Sequence, residues 1–266
     1  MTLPQLRLRS AGRSLTAALA VFAAVSHAPR PAAAQVPAPA PAALPGAEQI
    51  VARYHEAMGA ATFANIRSLH SVGEVSIPVA GITGTLEIWQ GRPNRTVMVA
   101  SVPGYGEVRT GYNGENGWSV DPVEGPRILA GPEARQAEDD AHFDSHLRTA
   151  ELIDSMTTIE RTTLGGHDCF KVHTIWKTGR ETSDCYSVES GLLIGSVRTH
   201  ESSTGPTEAL ILYEDYQMFG AARLPTRITT QVDGVDQVVT LRRVTLNEVP
   251  DSAFNPPPEI RALLGG

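Results

Sequence analysis

The sequence predicts a mainly β fold, built as one long antiparallel meander with two or three helices. Three observations carry this. From Ile66 onward the chain breaks into short runs of alternating apolar and polar residues, the period-two signature of half-buried strands. Gly, Pro and Asn punctuate the runs, and strands joined by such short turns are antiparallel. No strand–helix–strand rhythm occurs, which argues against a doubly wound nucleotide-binding architecture. A sheet of about ten or more strands curls or closes rather than staying flat. Its concave face must then be covered by helices or by something else.

The elements follow in chain order. Residues 1–34 read as a secretory signal: Arg7, Arg9 and Arg13, an apolar run from Leu15 to Val25, then Ala32-Ala33-Ala34, with the cut before Gln35. The apolar run of about 11 residues is short of the ~20 that span a bilayer. No Cys near the cut offers a lipid anchor, and the basic start has no Arg pair, so general export to the periplasm is expected. Residues 35–46, QVPAPAPAALPG, form a stiff Pro/Ala linker. The folded domain is expected over 47–258, with a tail over 259–266.

Ile50, Val51, Tyr54, Ala57 and Met58 fall at helical spacing, so residues 47–59 are an amphipathic helix stopped at Gly59. Strands are expected at 66–77, 82–91, 94–102, 105–112 and 117–121. Asn113-Gly114 is the strongest tight-turn signal among their separators. A second helix is expected from Pro132 to about Leu147, acidic at Glu133, Glu138, Asp139, Asp140 and Asp144. Seven more strands follow at 157–164, 167–176, 181–188, 192–200, 207–218, 223–232 and 236–247.

Removal of the four arginines of residues 1–34 leaves 18 basic against 29 acidic residues, a net charge near −11. A chain this acidic is repelled by phosphate backbones and anionic lipid surfaces. Nucleic acid and electrostatic membrane docking are therefore poor partners, and a monomer is expected.

Several segments resemble the LolA-like outer-membrane lipoprotein-sorting family. They are AEQIVARYHEAMG (Ala47–Gly59), GRPNR (Gly91–Arg95), GYNGENGWSVDP (Gly111–Pro122), YSVESGLL (Tyr186–Leu193) and VPDSAFNPP (Val249–Pro257). They span nearly the whole mature chain in the family's order. The resemblance implies an incomplete antiparallel barrel of about eleven strands, covered by two or three helices over an apolar cavity that accepts acyl chains. One departure stands out. Where the family's carriers continue Arg-Pro-Asn with Phe-Arg-Trp, this chain has Thr96, Val97 and Met98. The arginine implicated in lipoprotein handover is missing there, which bears on lipoprotein transfer and leaves acyl-chain binding untouched.

The residue pattern supplies candidate sites. Leu86, Ile88, Met98, Ala100, Phe170, Val172 and Trp176, joined by Leu210 and Leu212, are expected to line the concave side, against the plainer reading of ordinary core. Cys169 and Cys185 fall on the polar side of strands paired through Thr178-Gly179, offset by about one pair. In an exported protein such a pair favours a disulfide; a reactive thiol beside His167 or His173 is the alternative. His142 and His146, four apart, could share a metal, but Phe143 stands where a zinc hydrolase needs Glu, and an exposed helix face explains them as well. No Gly-x-Ser-x-Gly elbow or phosphate loop occurs. Glu214 and Asp215 are adjacent on a strand and so point to opposite faces. No catalytic residue, metal or cofactor is assigned.

The expected function is a periplasmic carrier that shields the acyl chains of a lipid or lipidated protein. The alternative is an envelope sensor or interaction module of the same fold, docking on an envelope membrane protein. A small hydrolase is the third reading.

Overall fold

The computed structural model describes residues 43–265 apart from residue 221. The expected signal segment and most of the Pro/Ala linker lie outside the described residues. The N-terminal half contains helices α1 (Ala47–Met58) and α2 (Ala60–Phe63), then strands β1 (Ser68–Ile77), β2 (Ile82–Gly91), β3 (Arg95–Val102), β4 (Gly106–Tyr112), β5 (Gly117–Asp121) and β6 (Gly125–Ile128). Helices α3 (Gly131–Ala141) and α4 (Thr149–Leu152) lead into β7 (Ile153–Leu164), β8 (His167–Trp176), β9 (Glu181–Ser187) and β10 (Leu193–His200). The chain continues through β11 (Thr207–Phe219), β12 (Ala222–Val232) and β13 (Val235–Leu246) to helix α5 (Pro258–Leu264).

The thirteen strands among the described residues join one antiparallel sheet in the order β6-β5-β4-β3-β2-β1-β13-β12-β11-β10-β9-β8-β7. Every neighbour is consecutive in sequence except β1 and β13, whose pairing joins the two meanders. The ends, β6 and β7, do not pair with each other, so the sheet is unclosed. The strand absent from the sequence reading is β6. It has only four residues and follows a turn in which the Asp121 carboxylate accepts backbone N–H bonds from Val123 (2.7 Å) and Glu124 (3.1 Å). The two-residue Asp233-Gly234 hairpin adopts positive φ at both residues (50° and 77°), as a tight primed turn requires.

The register divides the sheet into two faces. One carries Leu69, Leu86, Met98, Val172, Tyr186, Ile211 and Val244, and α1, α2 and α3 cover it. Helix α1 turns Ile50, Val51, Tyr54 and Met58 onto Val172, Tyr186 and Leu192. Full burial of such side chains stabilises by about 1.5–3 kcal/mol each. Gly59 ends the helix in the left-handed region at φ 74°, its N–H reaching the carbonyls of Glu56 and His55.

The second helix is shorter than its sequence pattern implied. It ends at Ala141, and the chain turns to deliver Phe143 to the cluster of Phe63, Ile66 and Leu69 and Asp144 to the Arg92 guanidinium. The helical spacing expected to relate His142 to residue 146 is therefore broken, because α3 ends before His142. Arg92 also donates to the carbonyls of Ile66 (2.7 Å) and Phe63 (3.3 Å) and stacks over Phe143, so the loop before β3 holds α2 and the residue 142–145 turn together.

The other face of the sheet has its own cover. Residues 250–264, expected in part as a tail, lie across Trp89, Val97, Val99 and Trp118, with Phe254 and Ile260 buried among them. Ile260 is completely buried, so α5 belongs to the packed domain. The Cys169–Cys185 disulfide is formed on this same face of β8 and β9, with Cα atoms 5.6 Å apart. Both sulfurs belong to buried residues (0% and 6% exposed) although their flanking residues are polar. The ladder of β8 and β9 runs unbroken from Cys169–Ser187 to Ile175–Glu181. The one-pair offset is thus bridged diagonally, without a bulge.

Candidate functional site

A cavity of about 330 Å³ opens between the helix-covered face and the helices themselves. Its floor is β8–β11, through Thr174, Trp176, Thr182, Asp184, Tyr186, Ser196, Arg198 and Tyr213. Val51 and Tyr54 of α1 wall one side, Asp139 and Asp140 of α3 another, and Ile153 and Met156 of β7 a third. Alternation places the floor residues: Thr182, Asp184 and Tyr186 point inward because Ser183, Cys185 and Ser187 point outward.

Polar contacts from α1 and α3 help to hold the helices over the cavity. Arg53 of α1 donates to the carbonyls of Val188 (2.6 Å) and Glu189 (2.5 Å) in the turn after β9. On α3, the Asp140 carboxylate accepts from Arg180 (2.8 Å) and Arg198 (3.0 Å), and Asp139 accepts from Thr178 Oγ1 (3.0 Å). Asp140 keeps 35% of its side chain exposed at the cavity edge. Burial raises the pKa of its carboxyl, and Arg198 and Arg180 outweigh burial, so Asp140 lies below the ordinary carboxylate range. Arg180 also lies over the ring of Trp176, 5.4 Å from its centroid.

Asp184 sits deeper in the wall. Its carboxylate accepts from Ser196 Oγ (2.6 Å) and Thr182 Oγ1 (2.9 Å). Burial pushes its pKa up, and these two hydroxyls, with the charges of Arg180 and Arg198, offset only part of that. Burial also pushes the phenols of Tyr186 and Tyr213 up, so both remain neutral. Tyr54 and Tyr186 meet edge to face at 5.4 Å.

The residues nominated from sequence divide into four groups. Trp176 lines the cavity. Phe170 borders a smaller cleft of about 130 Å³ beside Pro45, Ile50 and Arg53, and Val172 is fully buried beneath α1. Leu86, Ile88, Met98 and Ala100 lie on the helix-covered face but over β2 and β3, away from the cavity floor. Leu210 and Leu212 are on the opposite face: Leu212 pairs with Gly195, which pairs with Cys185, and the inward residues of β11 are Ala209 and Ile211. Leu164 folds over Gly195 beside Leu212, which explains why that outer patch is apolar.

Sequence reasoning missed the polar half of the site. Asp139 and Asp140 read as an exposed acidic helix face, but they turn toward the sheet. Asp184 carried a visible signal, because it shares the inward side of its strand with Tyr186. Arg180 and Arg198 carried none, since only the fold brings the β8–β9 turn and β10 to α3. Among the described residues no group of three or more His, Cys, Asp or Glu side chains could hold a metal. No described helix is long and apolar enough to cross a membrane.

The unclosed antiparallel sheet with helices laid across one face is a LolA-like fold. Among solved structures, a LolA superfamily protein from Nitrosomonas europaea matches with a TM-score of 0.53 at 15% identity, over 80% of this chain and 99% of that one. A DUF1329 family protein from Desulfovibrio piger matches with a TM-score of 0.53 at 11% identity, over 77% of this chain and 97% of that one. At these identities the likeness is one of fold. No protein-family model matches the sequence, and no curated protein does.

Proposed function

We propose that the chain is a periplasmic carrier that shelters the acyl part of a lipid or lipidated protein between the sheet and its covering helices. The observation that carries this reading is the cavity between α1, α3 and an unclosed sheet, with the apolar surfaces of Val51, Ile153, Met156 and Leu193 at its edge. Burying a chain there contributes about 0.8 kcal/mol per CH₂, so half an acyl chain suffices for binding without a charged contact. At about 330 Å³ the cavity is at the small end of ligand pockets, which run from ~300 to 1,000 Å³. A full lipid therefore requires α3 to lift, and the ion pairs at Asp140 are the contacts that would open. Titration with a fluorescent fatty acid tests this: saturable uptake with one site per chain supports it, and no uptake at any concentration below the micelle threshold removes it.

A second reading, an envelope sensor or interaction module, is favoured by one feature. The cavity wall is rich in charge, with Asp139, Asp140, Asp184, Arg180 and Arg198 converging on it. A pocket serving only acyl chains has no use for these groups.

A further inference from the structure

We propose that the cavity beneath α3 seats an organic cation, an ammonium group carried either by a lipid head or by a free amine. The carrier reading supplies only the first of these sources. The argument begins with a charge count. Three carboxyls face the cavity, from Asp139, Asp140 and Asp184, against two guanidiniums, from Arg180 and Arg198. Both guanidiniums are committed to Asp140, and Arg180 approaches Asp139 at 3.9 Å. Asp184 touches hydroxyl donors and, among the described residues, forms no direct ion pair, although the charges of Arg180 and Arg198 act on it from further off.

A half-buried carboxylate with no cation in direct contact is costly, and burial outweighs its hydroxyl donors and the more distant charges of Arg180 and Arg198, holding its carboxyl above the usual range. A cation placed against it removes that cost. The walls suit one. Tyr54, Tyr186 and Tyr213 line the same space, beside Trp176 whose ring already carries Arg180, and aromatic faces attract ammonium groups, most strongly where water is excluded. An anionic head would meet Asp184 with both arginines already engaged. A neutral group would gain nothing from the third carboxyl. The cavity volume also fits a headgroup better than a diacyl lipid.

The test compares soluble short-chain phospholipids that share chain and phosphate and differ only in choline, ethanolamine or glycerol at the head. Binding to the mature chain is read by calorimetry, with tetramethylammonium chloride as the free cation and sodium chloride as the ionic control. The proposal expects choline and ethanolamine heads to bind at least about tenfold tighter than the glycerol head. It expects D184N, with an unchanged circular dichroism spectrum, to abolish that preference. Equal affinity for the glycerol head in the unmodified protein overturns the proposal, whatever becomes of the variant. So does a folded D184N protein that keeps the preference. If acyl chains bind regardless of head, the carrier reading stands and this inference falls. If tetramethylammonium binds through Asp184 while acyl chain length has no effect, the inference stands and the carrier reading falls.

Discussion

Asp140 of α3 and Arg198 of β10 meet at 3.0 Å across the edge of the cavity, joining a covering helix to the sheet beneath it. Arg180 completes the arrangement at 2.8 Å. This ion-pair set ties α3 to the sheet beside the Arg127–Glu133 pair (2.7 Å) and the bond from the Glu201 N–H to Gln136 Oε1 (2.8 Å). D140N removes the carboxylate that Arg198 touches and leaves Arg180 with only the more distant Asp139, at 3.9 Å. We expect a loss of about 1.5–3 kcal/mol, the range for hydrogen bonds to charged groups, from urea unfolding. The Trp176 environment should become more accessible to a neutral quencher in the same variant. Unchanged stability and quenching would mean that α3 is held by other contacts.

The Asp184 carboxyl gives a pH signature. Its folded-state pKa is raised by burial, so the cost to stability is full above that value, shrinks as pH falls through it, and is gone only below the unfolded chain's ordinary carboxylate value. D184N is therefore expected to unfold at a higher urea concentration than the parent near about pH 8. The gap should narrow on acidification and close once pH falls below the ordinary carboxylate range, where Asp184 is protonated in both the folded and the unfolded chain. A variant less stable than the parent throughout would contradict the raised value.

The disulfide closes a short loop, with 16 residues of separation between its ends. Loop-closure entropy assigns about 3 kcal/mol to a loop of this size. The double variant C169A/C185A should lose roughly that amount, and a reductant should move the parent's unfolding midpoint toward the variant's while leaving the variant unaffected. If the double variant matches the oxidised parent, the bridge contributes nothing.

Helix α5 supplies the sharpest correction to the sequence reading, and Ile260 tests it. Being fully buried against the β2–β5 face, it should cost about 2–5 kcal/mol when replaced by Ala. A dispensable tail would cost nothing.

The strands were legible because alternation and turn residues are local signals. Predicted limits at 82–91, 117–121 and 167–176 coincide with β2, β5 and β8. The misses share a cause, in that long-range contacts decided them. The helix expected to reach Leu147 stops at Ala141 so that Phe143 and Asp144 can meet α2 and Arg92. Leu210 and Leu212 were assigned inward on hydrophobicity alone, while the β10–β11 register turns Ala209 and Ile211 inward instead. Of the site, the apolar residue Trp176 was legible, and so was the inward direction of Asp184. The clustering of Asp139, Asp140, Arg180 and Arg198 was not, since these residues lie 40 to 59 positions apart along the chain, counted from the two aspartates to the two arginines.

The most direct measurement is native mass spectrometry of the exported protein, residues 35–266, purified without detergent. The carrier account predicts a bound mass in the acyl-lipid range, lost in W176E, whose charge would sit in the cavity wall. A clean unliganded mass, with no uptake of added lipid, would contradict it and leave an interaction module of the same fold.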